Sequence, residues 1–441
     1  MAFTVGLISL GCAKNLVDSE VVLGLLSQAG YEVTPSPDEA DILIVNTCAF
    51  IEAARKESIQ AILEAGGYKK GGKCRLLLVT GCLAQRYPQE LLAEIPEIDG
   101  LAGTGAVPAI VGLVSRALNG ERVVAVGAPG YTYSADLPRL QATQAHTAYL
   151  KIAEGCSNRC SFCVIPDLRG PSRSRPLDEL LREAAQLQAK GVRELILVAQ
   201  DTTLYGQDLD GRTRLPELLR ALDGLAIPWI RLLYAHPARI TPTLMETMAG
   251  ARHVLRYLDM PLQHADTEVL RRMRRGITGD EQMTLVENLR KSLPGLVLRT
   301  TFLVGFPGES ESAFQTLLDF MTRARFERAG VFAYSREEGT AACTMSPQVP
   351  GPVKTERLRR AMQLQKDISR QFNETMVGQT IKVLMESRDR HGRWTGRSVA
   401  DAPGVDGQVF LQQGPAMVAG ELVDVLVKRA GDYDLWGEPT I

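Results

Sequence analysis

The first third of the chain alternates short apolar, β-prone runs with longer amphipathic ones. Ile8-Ser9-Leu10, Ile44-Val45-Asn46-Thr47 and Leu78-Val79-Thr80 read as strands. Between them, Leu16 to Ala29 places Leu16, Val17, Val21, Leu23, Leu25 and Leu26 in a helical pattern, with Gly30 as its stop. Strand and helix in alternation imply a parallel sheet. The apolar opening, Met1 to Leu10, carries no preceding Lys or Arg and is short for a leader, so it reads as a buried first strand.

From Thr147 to Ser335 six strand-like runs follow: Tyr149 to Ala153, Leu195 to Ala199, Trp229 to Tyr234, Arg256 to Met260, Val297 to Val304 and Val331 to Tyr334. Amphipathic segments such as Leu177 to Ala189 separate them, which suits an incomplete parallel (β/α)6 barrel with its chemistry at the carboxyl ends of the strands. Gly127 to Gln144, rich in Gly, Pro and Ser, reads as a linker. After Thr375, the runs Thr380 to Glu386, Gln408 to Gln412 and Glu421 to Arg429 alternate apolar with polar residues, as short antiparallel strands do. The chain is therefore expected to be α/β, with a parallel α/β sheet domain over 1–126, a linker over 127–144, the barrel over 145–375 and a small antiparallel β-barrel over 376–441.

Composition narrows the function classes. The 50 Lys and Arg almost cancel the 51 Asp and Glu, so global charge lends nucleic acid no support as the primary target. Residues 376–441 hold 7 Lys or Arg against 9 Asp or Glu, where an RNA-gripping barrel should be basic; a slightly acidic one suits a basic partner. No run approaches the ~18 apolar residues of a membrane helix. A soluble protein of the reducing cytoplasm is expected, whose eight Cys are thiols or metal ligands.

Six of those eight Cys form two groups. Cys12, Cys48 and Cys82 each stand just beyond an apolar run, at matching strand ends where ligands of open parallel sheets gather. Singly, each could be a small buried core residue. Cys156, Cys160 and Cys163 form a C-x3-C-x2-C run. Three thiolates on one tight loop can hold three irons of a [4Fe-4S] cluster and leave the fourth open to an external ligand. A structural zinc site would want a fourth ligand, and no second Cys pair or nearby His completes this loop.

Cys156, Cys160, Phe162 and Cys163 match the radical S-adenosylmethionine motif. With three upstream Cys and a small carboxy-terminal barrel, the whole chain resembles the methylthiotransferase family, whose bacterial branches are the tRNA-modifying MiaB type and the ribosome-modifying RimO type. Ser9 to Glu20, Gln200-Asp201-Thr202 and Tyr257 to His264 resemble the RimO branch, with Ala13 standing where that branch has Pro. The resemblance implies a TRAM-type terminal barrel, two [4Fe-4S] clusters and S-adenosyl-L-methionine, with Cys156, Cys160 and Cys163 holding the radical cluster and Cys12, Cys48 and Cys82 an auxiliary one. It also implies a methylthio group added to the β-carbon of an aspartate in the twelfth small-subunit ribosomal protein, and an electron donor such as flavodoxin or ferredoxin.

Other residues are placed only by position. Glu154, Gln200, Asp201, His236, Gln263, His264 and Arg336 follow strand runs directly and are candidates to line the active site, although each singly could be a loop residue. Phe162, Gln200 and Gly305 are candidates for binding the cofactor, Gly305 because glycine permits close backbone approach to a nucleoside. Arg271 to Arg275 reads as the solvated face of a helix. Two rivals stand beside this reading: a MiaB-like enzyme acting on a tRNA adenosine, and a non-catalytic iron–sulfur carrier or sensor.

Overall fold

The computed structural model describes residues 3–411 and 417–440, so Met1 of the opening run and Gln412 of a predicted strand lie outside the described residues. The first domain is a parallel sheet of β1 (Thr4–Ser9), β2 (Glu32–Val33), β3 (Ile42–Thr47), β4 (Leu76–Gly81), β5 (Gly100–Ala102) and β6 (Val123–Ala125) in the order β2-β1-β3-β4-β5-β6. β3 and β4 are buried at every position, as central strands covered on both faces must be, and both are near-continuous apolar runs. Helix α1 (Ala13–Gln28) ends where Gly30 takes a φ of +92°, a conformation that favours glycine.

The second domain is a six-stranded parallel sheet in strictly sequential order, β14-β13-β12-β11-β10-β7. Its strands are β7 (Thr147–Lys151), β10 (Glu194–Val198), β11 (Trp229–Leu232), β12 (Val254–Asp259), β13 (Val297–Val304) and β14 (Arg328–Ala333), close to the six predicted runs. A two-stranded ribbon of β8 (Ala153–Glu154) and β9 (Arg173–Ser174) brackets the loop that carries the second Cys triplet. One apolar core, including Leu150, Leu197, Leu232, Leu258 and Phe302, backs the sheet. β14 begins three residues before its predicted start because Arg328, a charge that the apolar pattern passes over, is itself buried in an ion pair.

Residues 127–144 form no regular element, yet they are not a loose tether. Tyr133 is buried and its hydroxyl donates to Asp18 at 2.5 Å. Arg139 pairs with Glu183 at 2.8 Å and with Glu20. The bare face of Gly24 admits the carbonyl of Pro138, which would lie 2.2 Å from any Cβ there. The segment thus fastens α1 to the barrel, using side chains that a Gly- and Pro-rich composition conceals.

The terminal domain is a closed barrel of β15 (Thr380–Arg388), β16 (Trp394–Ser398), β17 (Val409–Leu411), β18 (Leu422–Ala430) and β19 (Leu435–Pro439), in the order β15-β16-β17-β19-β18. β16 and β19 escaped the sequence reading because each is short and interrupted by glycine, Gly396 or Gly437. β17 and β19 pair in parallel, the other neighbours antiparallel. Among the described residues no helix is long and apolar enough to cross a membrane.

Buried ion pairs dock this barrel near the amino ends of the central strands. Glu194 lies between Arg231, at 2.7 Å, and Arg397, at 2.5 Å, all with side chains at most 2% exposed. Arg328 meets Asp401 at 2.7 Å and Arg299 meets Asp406 at 3.3 Å. Removing one partner of such a buried group costs about 3–5 kcal/mol, because the remaining charge stays desolvated and unpaired. Glu194→Ala is therefore expected to lower the unfolding free energy from denaturant titration by that much and to make the 376–441 barrel releasable by limited proteolysis; an unchanged unfolding curve would remove this group from the account of docking.

Candidate functional site

The first Cys triplet lies along one sheet edge. β1, β3 and β4 are adjacent; Cys48 directly follows β3, Cys82 directly follows β4 and opens the short helix Cys82–Arg86, and Cys12 is the N-cap residue of α1. Two glycines make the approach possible. A Cβ on Gly11, at φ +88°, would lie 2.8 Å from Cβ and 3.2 Å from Sγ of Cys48, and one on Gly81, at φ +92°, would lie 2.3 Å from Oδ1 of Asn46. Asn15 stitches the edge together by donating to the carbonyls of Leu10 at 3.1 Å and Thr47 at 2.8 Å.

Without metal the three thiols differ. Burial pushes Cys48 up to about 11 and raises Cys82 as well. At Cys12 burial acts in the same direction, but Lys14, Arg169 and the backbone N–H groups of α1 outweigh it and hold the thiol below its usual value.

The second triplet occupies the loop bracketed by β8 and β9 and is held from several sides. The Cys156 N–H donates to Gly170 O at 3.0 Å, and Ser161 N–H and Oγ donate to the carbonyls of Met273 and Arg272 at 3.1 and 2.8 Å. Asn158 donates to Asp201 at 2.7 Å and accepts from Arg239 at 2.6 Å. Arg275 places Nη1 3.4 Å from Sγ of Cys160. Burial lifts the thiols of Cys156 and Cys163 to about 11 and about 12.

Arg169, six residues past Cys163, crosses from the second domain into the first. It donates to Asp18 at 3.1 Å, to Glu154 at 3.0 Å and to the side-chain oxygen of Asn15. Lys151 completes the group by pairing with Asp18 at 2.7 Å and with Glu154. Burial works against ionising Glu154, but Arg169 and then Lys151 outweigh it and hold the carboxyl well below its ordinary value. Lys14 returns the crossing from the other side, with Nζ 3.4 Å from the ring centre of Tyr234, just past β11.

These contacts sort the candidates from the sequence. Glu154 is a buried counter-ion, not a free lining residue. Gln200 donates to Glu154 at 2.8 Å, and among the described residues its buried Oε1 has no partner. Asp201 positions the second triplet through Asn158. His236 accepts the Ala238 N–H at Nδ1, which leaves its proton on Nε2; burial, then Arg275 and Arg239, push its pKa down to about 2, so the ring is a neutral donor.

His264 departs from expectation. It is 0% exposed, its Nδ1 accepts the Asp266 N–H, and its Nε2 faces Glu309 at 3.8 Å, so it braces a turn inside the core. Arg336 is exposed and donates to Cys343 O at 2.8 Å. Gly305 has a close neighbour of its own: a Cβ there would lie 2.3 Å from Cγ of Lys354, so the glycine admits that side chain. Arg271 and Arg274 are exposed as expected of a solvated face, whereas Arg275 is buried.

A cavity of about 210 Å3 lies where the two domains meet, lined by Phe50 and Ile51 just past Cys48, by Phe162 of the second triplet's loop, and by Gln263, Thr301 and Phe332 from the barrel. A larger hollow of about 350 Å3 under the linker is lined by residues of neither triplet's loop. Adjacency to both triplets, not size, marks the smaller one as the site. Glu337 closes its rim by binding Arg86 at 3.0 Å together with Arg55, both from the first domain.

Each triplet offers three free thiols, the number that can hold three irons of a [4Fe-4S] cluster. Among the described residues no three His, Cys, Asp or Glu side chains converge as the ligands of a single ion do. Gln200 Oε1 is a ready acceptor for a cofactor group. In metal-free protein Cys12 and Cys48 are both partly exposed, so alkylation at neutral pH is expected to modify Cys12 faster than Cys48, the thiolate fraction outweighing its lower nucleophilicity. Equal rates by peptide mass spectrometry would refute the role given to Lys14 and Arg169.

Three family models match along the chain: Uncharacterized protein family UPF0004 over residues 4–103, the Radical SAM superfamily over 150–321 and the TRAM domain over 377–440. The radical S-adenosylmethionine methyltransferase TsrM of Kitasatospora setae, solved with cobalamin and a [4Fe-4S] cluster bound, shares the fold with a TM-score of 0.56 at 14% identity, covering 86% of this chain and 79% of that one. The ribosomal protein uS12 methylthiotransferase RimO of Pelotomaculum thermopropionicum is 55% identical over 444 residues, 100% of both chains. That of Desulforudis audaxviator is 54% identical, over 98% of this chain and 96% of its own. At such identity over its full length, the chain belongs to the ribosomal protein uS12 methylthiotransferase RimO family.

Proposed function

We propose that this enzyme adds a methylthio group to the β-carbon of an aspartate in uS12, the twelfth small-subunit ribosomal protein, with Cys156, Cys160 and Cys163 holding the radical cluster and Cys12, Cys48 and Cys82 the auxiliary one. The observation that carries the assignment of the cysteines is the cavity, whose lining comes from the loops of both triplets. When bound, the two [4Fe-4S] clusters and S-adenosyl-L-methionine supply one-electron reduction, hydrogen abstraction from an unactivated carbon and the transferred sulfur.

The protein's own part is to position and to exclude water. Phe50, Phe162 and Phe332 give the cavity apolar walls; Phe50 and Phe332 are exposed until a substrate covers them, and that covering would keep a reactive carbon from solvent. Asp201 and Arg239 grip Asn158 and so fix the loop that carries the radical triplet. Gln200 offers Oε1 as an acceptor to S-adenosylmethionine, and His236 offers its Nε2 hydrogen as a donor that stays neutral at working pH. Gln263, at φ +74°, lines the cavity and hydrogen-bonds through its backbone to Thr301 and Leu303. An external one-electron donor of the flavodoxin or ferredoxin class would complete the requirement, and a ribosomal substrate supports the reading of a cytoplasmic enzyme.

A tRNA adenosine remains the second reading because the terminal barrel carries Arg–aromatic pairs, Arg429 lying 3.7 Å from the ring centre of Trp436 and Arg388 5.1 Å from that of Trp394, of a kind that stacks on bases. The net acidity of residues 376–441 also weighs less than its sum suggests, since Asp401 and Asp406 face inward as counter-ions of Arg328 and Arg299. The intact mass of uS12 from cells with the native chain and with Cys156→Ala decides between them. A methylthio increment that disappears with the variant is expected; unchanged uS12 with loss of tRNA methylthioadenosine would move the enzyme to the other substrate.

A further inference from the structure

Arg275 is a buried cation with no carboxylate. Its residue exposure is 6%, and among the described residues it forms no ion pair with Asp or Glu, whereas Arg169, Arg231, Arg328 and Arg397 each have one. Its hydrogen-bond partners are Sγ of Cys160, 3.4 Å from Nη1, and the carbonyl of Pro261, 2.7 Å from Nη2. Nε is buried and, among the described residues, without a partner. A desolvated guanidinium costs several kcal/mol unless an anion faces it. Here the group that faces it is the Cys160 sulfur, which would become its anion once a cluster is bound.

The local chain is built to deliver that side chain. Helix Thr267–Met273 ends with Arg274 in the left-handed conformation, φ +58°, and the Arg275 N–H returns to Leu270 O at 3.0 Å. The same helix end accepts both hydrogen bonds of Ser161, so the loop and the guanidinium are held by one element. Pro261 O anchors one nitrogen and thereby directs the other at the sulfur.

We propose that Arg275 is a positioning residue that sets the reduction potential of the radical cluster by donating a charge-assisted hydrogen bond to the Cys160 sulfur. The inference rests on the assignment of Cys156, Cys160 and Cys163 as that cluster's ligands. In the step concerned, one electron enters from the external donor, no bond forms or breaks, and the site gains one negative charge. A fixed cation donating to a ligand sulfur favours the more negative state, hydrogen bonding to sulfur and net charge being two of the levers that set such potentials. The bond is present in both oxidation states and only its strengthening on reduction moves the potential, so its loss is expected to make reduction about tenfold less favourable.

The experiment uses full-length protein carrying Cys12→Ala, Cys48→Ala and Cys82→Ala, so that only the second site binds a cluster. Iron and sulfide are assayed, and the midpoint potential is read by paramagnetic resonance during anaerobic titration, with Arg275, Arg275→Lys and Arg275→Met compared. The expected result is a full cluster in all three, with the Met variant shifted downward by about 59 mV, the one-electron equivalent of tenfold, and the Lys variant in between. Equal midpoints overturn the proposal. Should the Met variant lose iron, a Lys variant that retains its cluster at the parental midpoint also overturns it. A parent protein with no reducible cluster at this site would instead refute the assignment of the three cysteines, a result distinct from any shift among variants.

Discussion

The arrangement of this enzyme depends on a group of charges buried between two domains: Arg169 and Lys151 against Asp18 and Glu154, with side chains 2–11% exposed. None of these charges tolerates such burial alone, because desolvation of an unpaired ion costs several kcal/mol. Asp18 comes from the first domain and the other three from the second, where Glu154 offsets only one of the two cations, so Asp18 and the remaining positive charge are compensated only when the domains dock. Tyr133 of the connecting segment donates to Asp18 and adds a third part of the chain to the same point. Because Arg169 also lies against the first Cys triplet and follows closely on the second, this docking fixes how the two triplets stand to each other across the cavity.

Much of the fold was legible because parallel sheets covered on both faces announce themselves as apolar runs, as β3, β4 and β10 do. The cysteines were legible for a related reason: their spacing on the loop and their offsets from strand ends are sequence properties. What stayed hidden was polar and long-range. Nothing near Arg169 in the chain marks Asp18, 151 residues away, as its partner. Arg275 was hidden inside a basic run because burial of one arginine among four depends on a single left-handed residue at the helix end. His264 erred the other way: standing beyond a strand end made it a candidate, yet its side chain turns into the core.

Glycines taught a similar lesson. Gly305 satisfied the expectation of close backbone approach, but the group that approaches is Lys354, whose Nζ donates to Tyr334 O at 2.9 Å. Gly11 and Gly81, which precede Cys12 and Cys82, prove to be the ones that bear on chemistry, since a side chain at Gly11 would strike Cys48. A glycine's neighbour in space, and not its motif, decides what it is for.

The two triplets present the same number of thiols to clusters of the same kind, so any division of labour between them must come from their surroundings. The first has two cations on it, Lys14 and Arg169, each tied to another partner: Lys14 to the Tyr234 ring, Arg169 to two carboxylates. The two carboxylates partly cancel the charge of Arg169 before it reaches the sulfurs, whereas the Tyr234 ring leaves that of Lys14 in place. The second has one cation, Arg275, with no carboxylate to dilute it among the described residues. The field of a paired guanidinium is that of a dipole and falls off faster than that of an unpaired one. On the proposed assignment, the triplet that would accept an electron is thus the one whose cation acts undivided at the ligand sulfur.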